Sequence, residues 1–135
     1  MHVQPYLFFR GDCEQAVAFY GRTLGAKVVH LSRYKDSPEP LPEGMVPTGW
    51  DDKVMHVSLT VGKTTVMACD AADGGEFKGV QLSVNTRDMA EAKSLFAALG
   101  DGGQVTMPLA KTFWSEGFGM LTDRFGVPWM VNVDH

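Results

Sequence analysis

The sequence predicts an α+β fold built from two βαβββ units, and three observations support this prediction. Residues 1–70 and 79–135 repeat one order of elements: a strand, an aspartate-capped helix and three further strands. A Leu-Gly pair ends each predicted helix, at Leu24-Gly25 and at Leu99-Gly100. The chain also closes on a hairpin, which needs a larger sheet to pair with. We expect one domain over residues 1–135, in which two four-stranded sheets form a curved mixed sheet around a cleft.

The first unit shows strand periodicity, then helical periodicity, then strand periodicity again. Asp12 and Gln15 form a capping-box-like start for the helix that ends at Leu24-Gly25. Residues 34–52 contain four prolines and Trp50, which predicts a long loop whose role the sequence leaves open. A Gly62-Lys63 turn joins the last two strands. The predicted strands are Val3–Phe9, Ala26–Arg33, Lys53–Val61 and Thr64–Cys69.

The second unit repeats this pattern. Asp88 is the expected N-cap of its helix, and Gly100 is expected to end that helix. Asp123 opens a turn in which Gly126 is free to take a positive φ. The predicted strands are Val80–Val84, Gln104–Leu109, Gly119–Asp123 and Trp129–Val133.

Composition narrows the class of protein. The net charge of −4, without a basic stripe, argues against a nucleic-acid partner. No apolar run is long enough to cross a membrane, and the first residues lack the pattern of a signal peptide. The two cysteines, Cys13 and Cys69, match no metal-ligand or redox spacing. We therefore expect a cytoplasmic protein with free thiols.

Two stretches carry a resemblance to a known family. The pattern Phe9-Arg10-Gly11-Asp12, Ala16, Phe19-Tyr20, Leu24-Gly25 resembles the first-helix signature of the vicinal oxygen chelate superfamily, which includes glyoxalase I, bleomycin-resistance proteins and extradiol dioxygenases. The block TFWSEGFGMLTDRFGVPWMVNV at residues 112–133 is similar to the end of the PhnB-like branch, and Pro5-Tyr6, His56 and Asp70 also fit that branch. The resemblance implies a glyoxalase-like fold and a homodimer.

The resemblance also implies a metal site, which this sequence does not supply. Enzymes of the superfamily hold one divalent metal with His and Glu on the first and last strands of each unit. The matching positions here are Pro5, Gly79, Met130 and either Met67 or Ala68. None of these is a ligand for a hard divalent ion. We therefore predict no metal at the usual positions and no cofactor, and a divalent metal at another site remains an open alternative.

Two residues are candidates for catalysis. His56 lies centrally on a strand, whereas His2 and His135 lie near the chain ends and His30 leads into the long loop. A single central histidine is more often a hydrogen-bonded structural residue than a ligand or general base. Glu116 could act as an acid or base if its loop folds over the cleft. The alternative is that Glu116 is a solvent-exposed charge of the loop with no catalytic role.

Strand alternation proposes the residues that bind a ligand. If Tyr6 and Phe8 pack against helices, their neighbours face the cleft, and Ser83 shares that parity. Trp129 has the opposite parity and is expected to pack on a helix. The polar residues among them either form hydrogen bonds within the sheet or orient a ligand. The methionines either fill the core or line a pocket. The aromatic residues in the loop either form the wall of a cavity or contact a second copy of the chain. The full set is Leu7, Phe9, His56, Met67, Gln81, Trp114, Phe118, Met130 and Asn132.

The sequence favours a small-molecule-binding protein without the usual metal. The alternative is an enzyme of lyase or dioxygenase type that acts on a small metabolite through His56 or an unrecognised metal site. A pure interaction module lacks support, because no charge run or exposed amphipathic helix points to a partner. The identity of the small organic ligand, and whether any reaction occurs, lie beyond the sequence.

Overall fold

The computed structural model describes residues 1–134, so His135 lies outside the described part. The chain divides into two compact units, Met1–Gly75 and Glu76 onward. The first unit holds β1 (Tyr6–Phe9), α1 (Cys13–Leu24), β2 (Lys27–Arg33), a short 3₁₀ helix (Tyr34–Asp36), β3 (Val54–Val61) and β4 (Thr64–Asp70). The second unit holds β5 (Leu82–Thr86), α2 (Met89–Gly100), β6 (Gln104–Ala110), β7 (Gly117–Thr122) and β8 (Pro128–Val133).

Each unit contains one four-stranded mixed sheet. The strand orders are β1-β4-β3-β2 and β5-β8-β7-β6. The first and last strands of each unit run parallel, and the remaining neighbours are antiparallel. The predicted α+β class and the two βαβββ units are confirmed. Within residues 1–134, neither helix is long and apolar enough to cross a membrane.

The face assignment of β1 was wrong. Leu7 and Phe9 are buried, at 9% and 1% exposure, whereas Tyr6 and Phe8 are 36% and 51% exposed. Phe9 pairs with Asp70 on β4, and the Asp70 side chain accepts a hydrogen bond from the start of α1. The side chains of Leu7 and Phe9 therefore lie on the side of the sheet that faces the helix. Leu7 and Phe9 therefore belong to the core of the first unit. Strand alternation could not distinguish the two faces, because every residue of β1 is apolar or aromatic.

The start of α1 is held by a residue distant in sequence. Asp12 is the N-cap by position, but its side chain makes no capping hydrogen bond. The buried carboxylate of Asp70 replaces it. Oδ1 accepts from the backbone N–H groups of Gly11 (2.7 Å) and Cys13 (3.0 Å), and Oδ2 accepts from that of Val54 (3.0 Å). One carboxylate thus joins α1, β3 and β4. At the other end, Gly25 adopts the expected left-handed conformation, with φ 70°.

Helix α2 packs closely on β7 because two of the β7 residues that face it, Gly117 and Gly119, have no side chain. A Cβ atom on Gly119 would lie 2.8 Å from a ring carbon of Phe96 and 2.9 Å from Leu109 Cα. A Cβ atom on Gly117 would lie 2.6 Å from Met89 Sδ. The predicted cap is confirmed, since Asp88 Oδ1 accepts from Ala90 N–H at 3.0 Å. The helix continues through Gly100 rather than ending before it.

Asp123 organises the last hairpin, as expected. Its Oδ1 accepts from the N–H groups of Phe125 (2.8 Å) and Val127 (3.0 Å), and Gly126 has φ 89°. Its Oδ2 accepts from Trp129 Nε1 at 2.9 Å. Trp129 is 5% exposed, so its predicted inward packing is confirmed.

The proline-rich loop is fixed at both ends. Tyr34 N–H donates to Lys53 O (3.1 Å), and Lys35 N–H donates to Asp51 O (3.0 Å). Trp50 packs beside Gly11, where a Cβ would lie 3.8 Å from its ring. The lid role considered for Trp50 remains a prediction.

Replacing Asp70 tests the long-range cap. We expect Asp70→Ala to lower the free energy of unfolding by about 3 kcal/mol or more, because three buried N–H groups lose a charged acceptor. Asp12→Ala is the matched control and should stay within about 1 kcal/mol, since only its charge near the helix start is lost. Urea unfolding followed by circular dichroism measures both. Equal losses in the two variants would contradict this account of the cap.

Replacing Gly119 tests the close approach of α2. We expect Gly119→Ala to lower the free energy of unfolding by about 1–3 kcal/mol, because the added methyl overlaps Phe96 and the β6 backbone. Gly100→Ala is the control, since its nearest neighbour would be Leu121 Cδ2 at an ordinary 3.7 Å. If thermal unfolding shows Gly119→Ala to be no less stable than Gly100→Ala, the close packing of α2 on β7 is wrong.

Candidate functional site

Each sheet has one face that packs on its helix and one face that does not. We call the two unpacked surfaces the first and the second open face. The first carries Tyr6, Phe8, His56, Ser58 and Met67. The second carries Ser83, Asn85, Phe118, Met120, Met130 and Asn132.

A hydrogen-bonded chain crosses the first open face. The Tyr6 hydroxyl lies 3.0 Å from His56 Nδ1, and Ser58 Oγ lies 3.1 Å from His56 Nε2. The His30 ring is 6.4 Å from the His56 ring, measured between centroids. His56 is therefore held on both ring nitrogens, as a structural histidine would be. It also remains part-exposed, on a face where a ligand could reach it.

Burial and the neighbouring Cys69 perturb Tyr6. Partial burial of Tyr6, which remains 36% exposed, is the main cause that raises its pKa to about 12, and repulsion by ionised Cys69 adds to it. Burial likewise raises the pKa of Cys69. Cys69 is 5% exposed, so it fits the small buried hydrophobe that the sequence suggested. At neutral pH the first open face therefore presents a neutral phenol that can donate a hydrogen bond.

The second open face combines aromatic, thioether and amide side chains. Strand register sets two rows across it. In one row, Phe118 on β7 pairs with Asn132 on β8, which pairs with Asn85 on β5. The other row is Met107, Met120, Met130 and Ser83. Met130 and Asn132 alternate with buried residues of β8 and so lie on the side of the sheet away from the helix, and their predicted contact with a ligand stays a prediction.

A loop fixes Trp114 beside this face. Its ring packs edge-on against Phe118, with centroids 5.5 Å apart and an interplanar angle of 68°. Thr112 Oγ1 accepts from the N–H groups of Trp114 (3.3 Å) and Ser115 (3.1 Å). Buried Ser115 Oγ in turn donates to Gly117 O (2.7 Å) and lies 3.0 Å from Val133 O. Trp114 is 49% exposed, so a tethered ring is available to a ligand.

A depression of about 450 Å³ lies within the second unit. It contains two of the residues predicted to bind a ligand, Gln81 and Met130, and the superfamily metal position Gly79. Phe77, Lys78, Val80 and Pro128 complete its lining. Gln81 therefore lines this open depression just before β5, and its side chain is exposed.

The superfamily's metal positions do not fit a hard cation here. Met67 pairs with Tyr6 and shares the first open face, whereas Ala68 is buried toward the helix, so the open position is Met67. The set is thus a proline, a glycine and two thioethers, and thioethers prefer soft ions. Among residues 1–134, no three His, Cys, Asp or Glu side chains are grouped as metal ligands.

The predicted residues fall into distinct places. Leu7 and Phe9 are in a core, His56 and Met67 lie on the first open face, and the remainder belong to the second unit. Glu116 is exposed in the loop that carries Trp114. Sequence reasoning missed Tyr6, Ser58 and Asn85. The alternation of Ser83 and Asn85 with apolar residues was the one signal that could have found Asn85.

The sequence matches the family model described as the glyoxalase/bleomycin resistance protein/dioxygenase superfamily over residues 2–131. It is 36% identical to protein YjdN of Escherichia coli (strain K12) over 142 residues, covering 98% of this chain and 95% of that protein. Its structure is similar to that of protein PA1353 from Pseudomonas aeruginosa (TM-score 0.87, 44% identity, 99% and 98% coverage). It is also similar to the PhnB protein from Bacillus cereus (TM-score 0.80, 27% identity, 99% and 100% coverage). The resemblance to the PhnB-like branch is confirmed.

The raised pKa of Tyr6 gives a testable pH dependence. The neutral phenol is favoured in the folded state, so its contribution to stability is complete below pH 10.0, the ordinary pKa, and is lost as pH rises toward 12. We expect the difference in thermal midpoint between wild type and Tyr6→Phe to be constant below that range and to change within it. A difference that stays flat through the whole range would show that Tyr6 titrates as a solvated tyrosine.

Proposed function

The chain belongs to the glyoxalase/bleomycin resistance protein/dioxygenase superfamily, and from this premise we propose that it is a small-molecule-binding protein that works without the superfamily's usual metal. The ligand is a flat, largely apolar organic molecule, held on the second open face. The observation that carries this proposal is the tethered, half-exposed Trp114 beside a row of outward methionines.

The composition of the second open face suits such a ligand. Ligand sites are mostly apolar, with a few placed polar groups that fix orientation. Trp114 and Phe118 offer ring faces, and Met120 and Met130 offer polarisable side chains that adapt to different shapes. The hydrogen bonds of Thr112 and Ser115 already order the loop, so binding costs little further conformational entropy.

The donor set argues against metal-assisted chemistry at the usual positions. A divalent Lewis acid is held by imidazole, carboxylate or thiolate groups, and Pro5, Gly79, Met67 and Met130 provide none of these. The binding role therefore rests on packing and hydrogen bonds alone.

We also propose that the protein is a cytoplasmic homodimer. Val28 and Val29 on the edge strand β2 are 52% and 68% exposed, and a second copy would remove such apolar surface from water. Sedimentation velocity measures this state directly.

One observation favours a second candidate function, an enzyme that acts on a small metabolite. The Tyr6–His56–Ser58 chain is a hydrogen-bonded set of groups that can pass a proton, and it lies on an open face. His56→Gln preserves the polarity of this residue and removes its acid–base capacity. Turnover that His56→Gln abolishes while folding is retained would support the enzyme. A ligand that is recovered chemically unchanged would support the binding protein.

The fluorescent probe 8-anilinonaphthalene-1-sulfonate tests the proposed site. We expect saturable binding to the folded protein, weakened about three- to ten-fold by Trp114→Ala because one ring face is lost. Trp50→Ala is the control in the first unit and should leave the affinity unchanged. Near-ultraviolet circular dichroism confirms that both variants keep their tertiary packing.

Dialysis against Ni, Zn, Mn and Fe followed by elemental mass spectrometry completes this test. We expect only trace metal per chain and an unchanged probe affinity in the presence of EDTA. A stoichiometric ion whose removal abolishes binding, or equal binding by Trp114→Ala, would overturn the proposed function.

A further inference from the structure

Asn132 lies at the centre of the second open face with one amide atom unused. It pairs with Phe118 on one side and with Asn85 on the other. Its Nδ2 donates to Asp134 Oδ1 at 2.8 Å and, at 3.4 Å, to Asn85 Oδ1. Both hydrogens of the Asn132 amide group therefore have an acceptor, and the amide oxygen, Oδ1, accepts no hydrogen bond in the described part of the chain.

The carboxylate of Asp134 fixes which way this amide turns. An ionised carboxylate only accepts hydrogen bonds, so the NH₂ group of Asn132 must face it. Asp134 is itself positioned, because its backbone N–H donates to Thr86 O at 2.7 Å beside the end of β8. Asn132 Oδ1 must therefore point away from Asp134. Within residues 1–134, no hydrogen-bond donor reaches it.

Asn85 extends the same chain of donors. Its Oδ1 receives Asn132 Nδ2 (3.4 Å) and Ser83 Oγ (3.3 Å), and its Nδ2 donates to Ser83 O (3.4 Å). All three contacts are long, so each is weak. The Asn132 amide nitrogen thus has an acceptor for each of its two hydrogens, whereas Asn132 Oδ1 is left open to a ligand.

Aromatic surface lies along the same row. Phe118 is directly opposite Asn132 across the β7–β8 ladder, and Trp114 stands edge-on to Phe118. Met120 and Met130 form the adjacent row. A ring placed against these side chains would bring its edge toward Asn132 Oδ1.

We infer that the second open face selects flat aromatic molecules that carry an N–H or O–H donor on one edge, as lactams and phenols do. Asn132 Oδ1 receives that donor, and Asp134 is the positioning residue that holds the amide in the receiving orientation. This inference rests on the proposed function, since it names the class of ligand for the same face.

A pair of probes that differ in one hydrogen-bond donor tests this selectivity. The lactam 2-quinolone has a ring N–H, and N-methyl-2-quinolone has the same ring system without that donor. We expect wild type to bind 2-quinolone about five-fold more tightly, the worth of one solvent-accessible hydrogen bond. Ligand-observed NMR titration measures both dissociation constants. Protein-observed NMR spectra then locate the site through the shift of the Asn132 side-chain amide signal.

Three variants separate the contributions. Asn132→Leu should bind both probes equally, at the affinity of wild type for the N-methyl probe. Asp134→Asn should reduce the five-fold preference toward two-fold, since the Asn132 amide is then free to turn over. Gln104→Leu removes an exposed amide from β6 of the same unit and should keep the full preference.

The outcomes distinguish this inference from the proposed function beneath it. If neither quinolone binds and the naphthalene probe also fails, the binding function itself is wrong. If both quinolones bind with equal affinity, or if Asn132→Leu keeps the preference, aromatic binding stands and the donor selectivity is overturned. If Trp114→Ala changes the oligomeric state in sedimentation and the probes bind only to that monomer, a second copy occupies the face and the inference is overturned.

Discussion

A buried carboxylate at the end of a strand holds each unit together. Asp70 is 1% exposed and joins the backbone of three segments, from Gly11 and Cys13 to Val54. Asp123 is 3% exposed and binds its own turn together with the Trp129 indole. An ionised group in the interior is costly unless hydrogen bonds replace the water it loses. Each of these carboxylates has that replacement, and removing it would leave several donors unsatisfied at once.

The same bonds decide where chemistry can occur. Asp70 and Asp123 accept hydrogen bonds from the protein on both oxygens, and both side chains are buried, so a ligand in solvent does not reach them. The sides of the sheets that face the helices carry Phe9, Leu121 and Val131, whose side chains have no polar atoms. Functional groups must therefore come from the open faces. The two open faces differ, because one carries a phenol–imidazole–hydroxyl chain and the other carries amides beside thioethers. The two units thus share one backbone framework, and the side chains on their open faces differ from one unit to the other.

Local signals in the sequence predicted most of the fold. The helices begin where Asp12 and Asp88 are placed, and Gly25 and Gly126 adopt the positive φ that their positions require. Strand alternation placed Asn132 on the more exposed side of β8, where it lies between the buried Val131 and Val133. It was wrong for β1, because Tyr-Leu-Phe-Phe contains no polar residue to mark a face. The partner that defines that face, Asp70, lies 57 residues from Cys13, beyond the reach of any local pattern.

Without hard metal ligands, orientation of a ligand has to come from another directional interaction. Stacking on Trp114 and Phe118 fixes the plane of a ring but leaves it free to slide and rotate within that plane. A hydrogen bond at the ring edge removes this freedom, because its strength falls steeply when the geometry is poor. Asn132 Oδ1 is suited to that task, since Asp134 sets the amide and the sheet sets Asp134. In the proposed site, affinity comes from apolar area, and selectivity comes from a single acceptor whose direction is fixed before the ligand arrives.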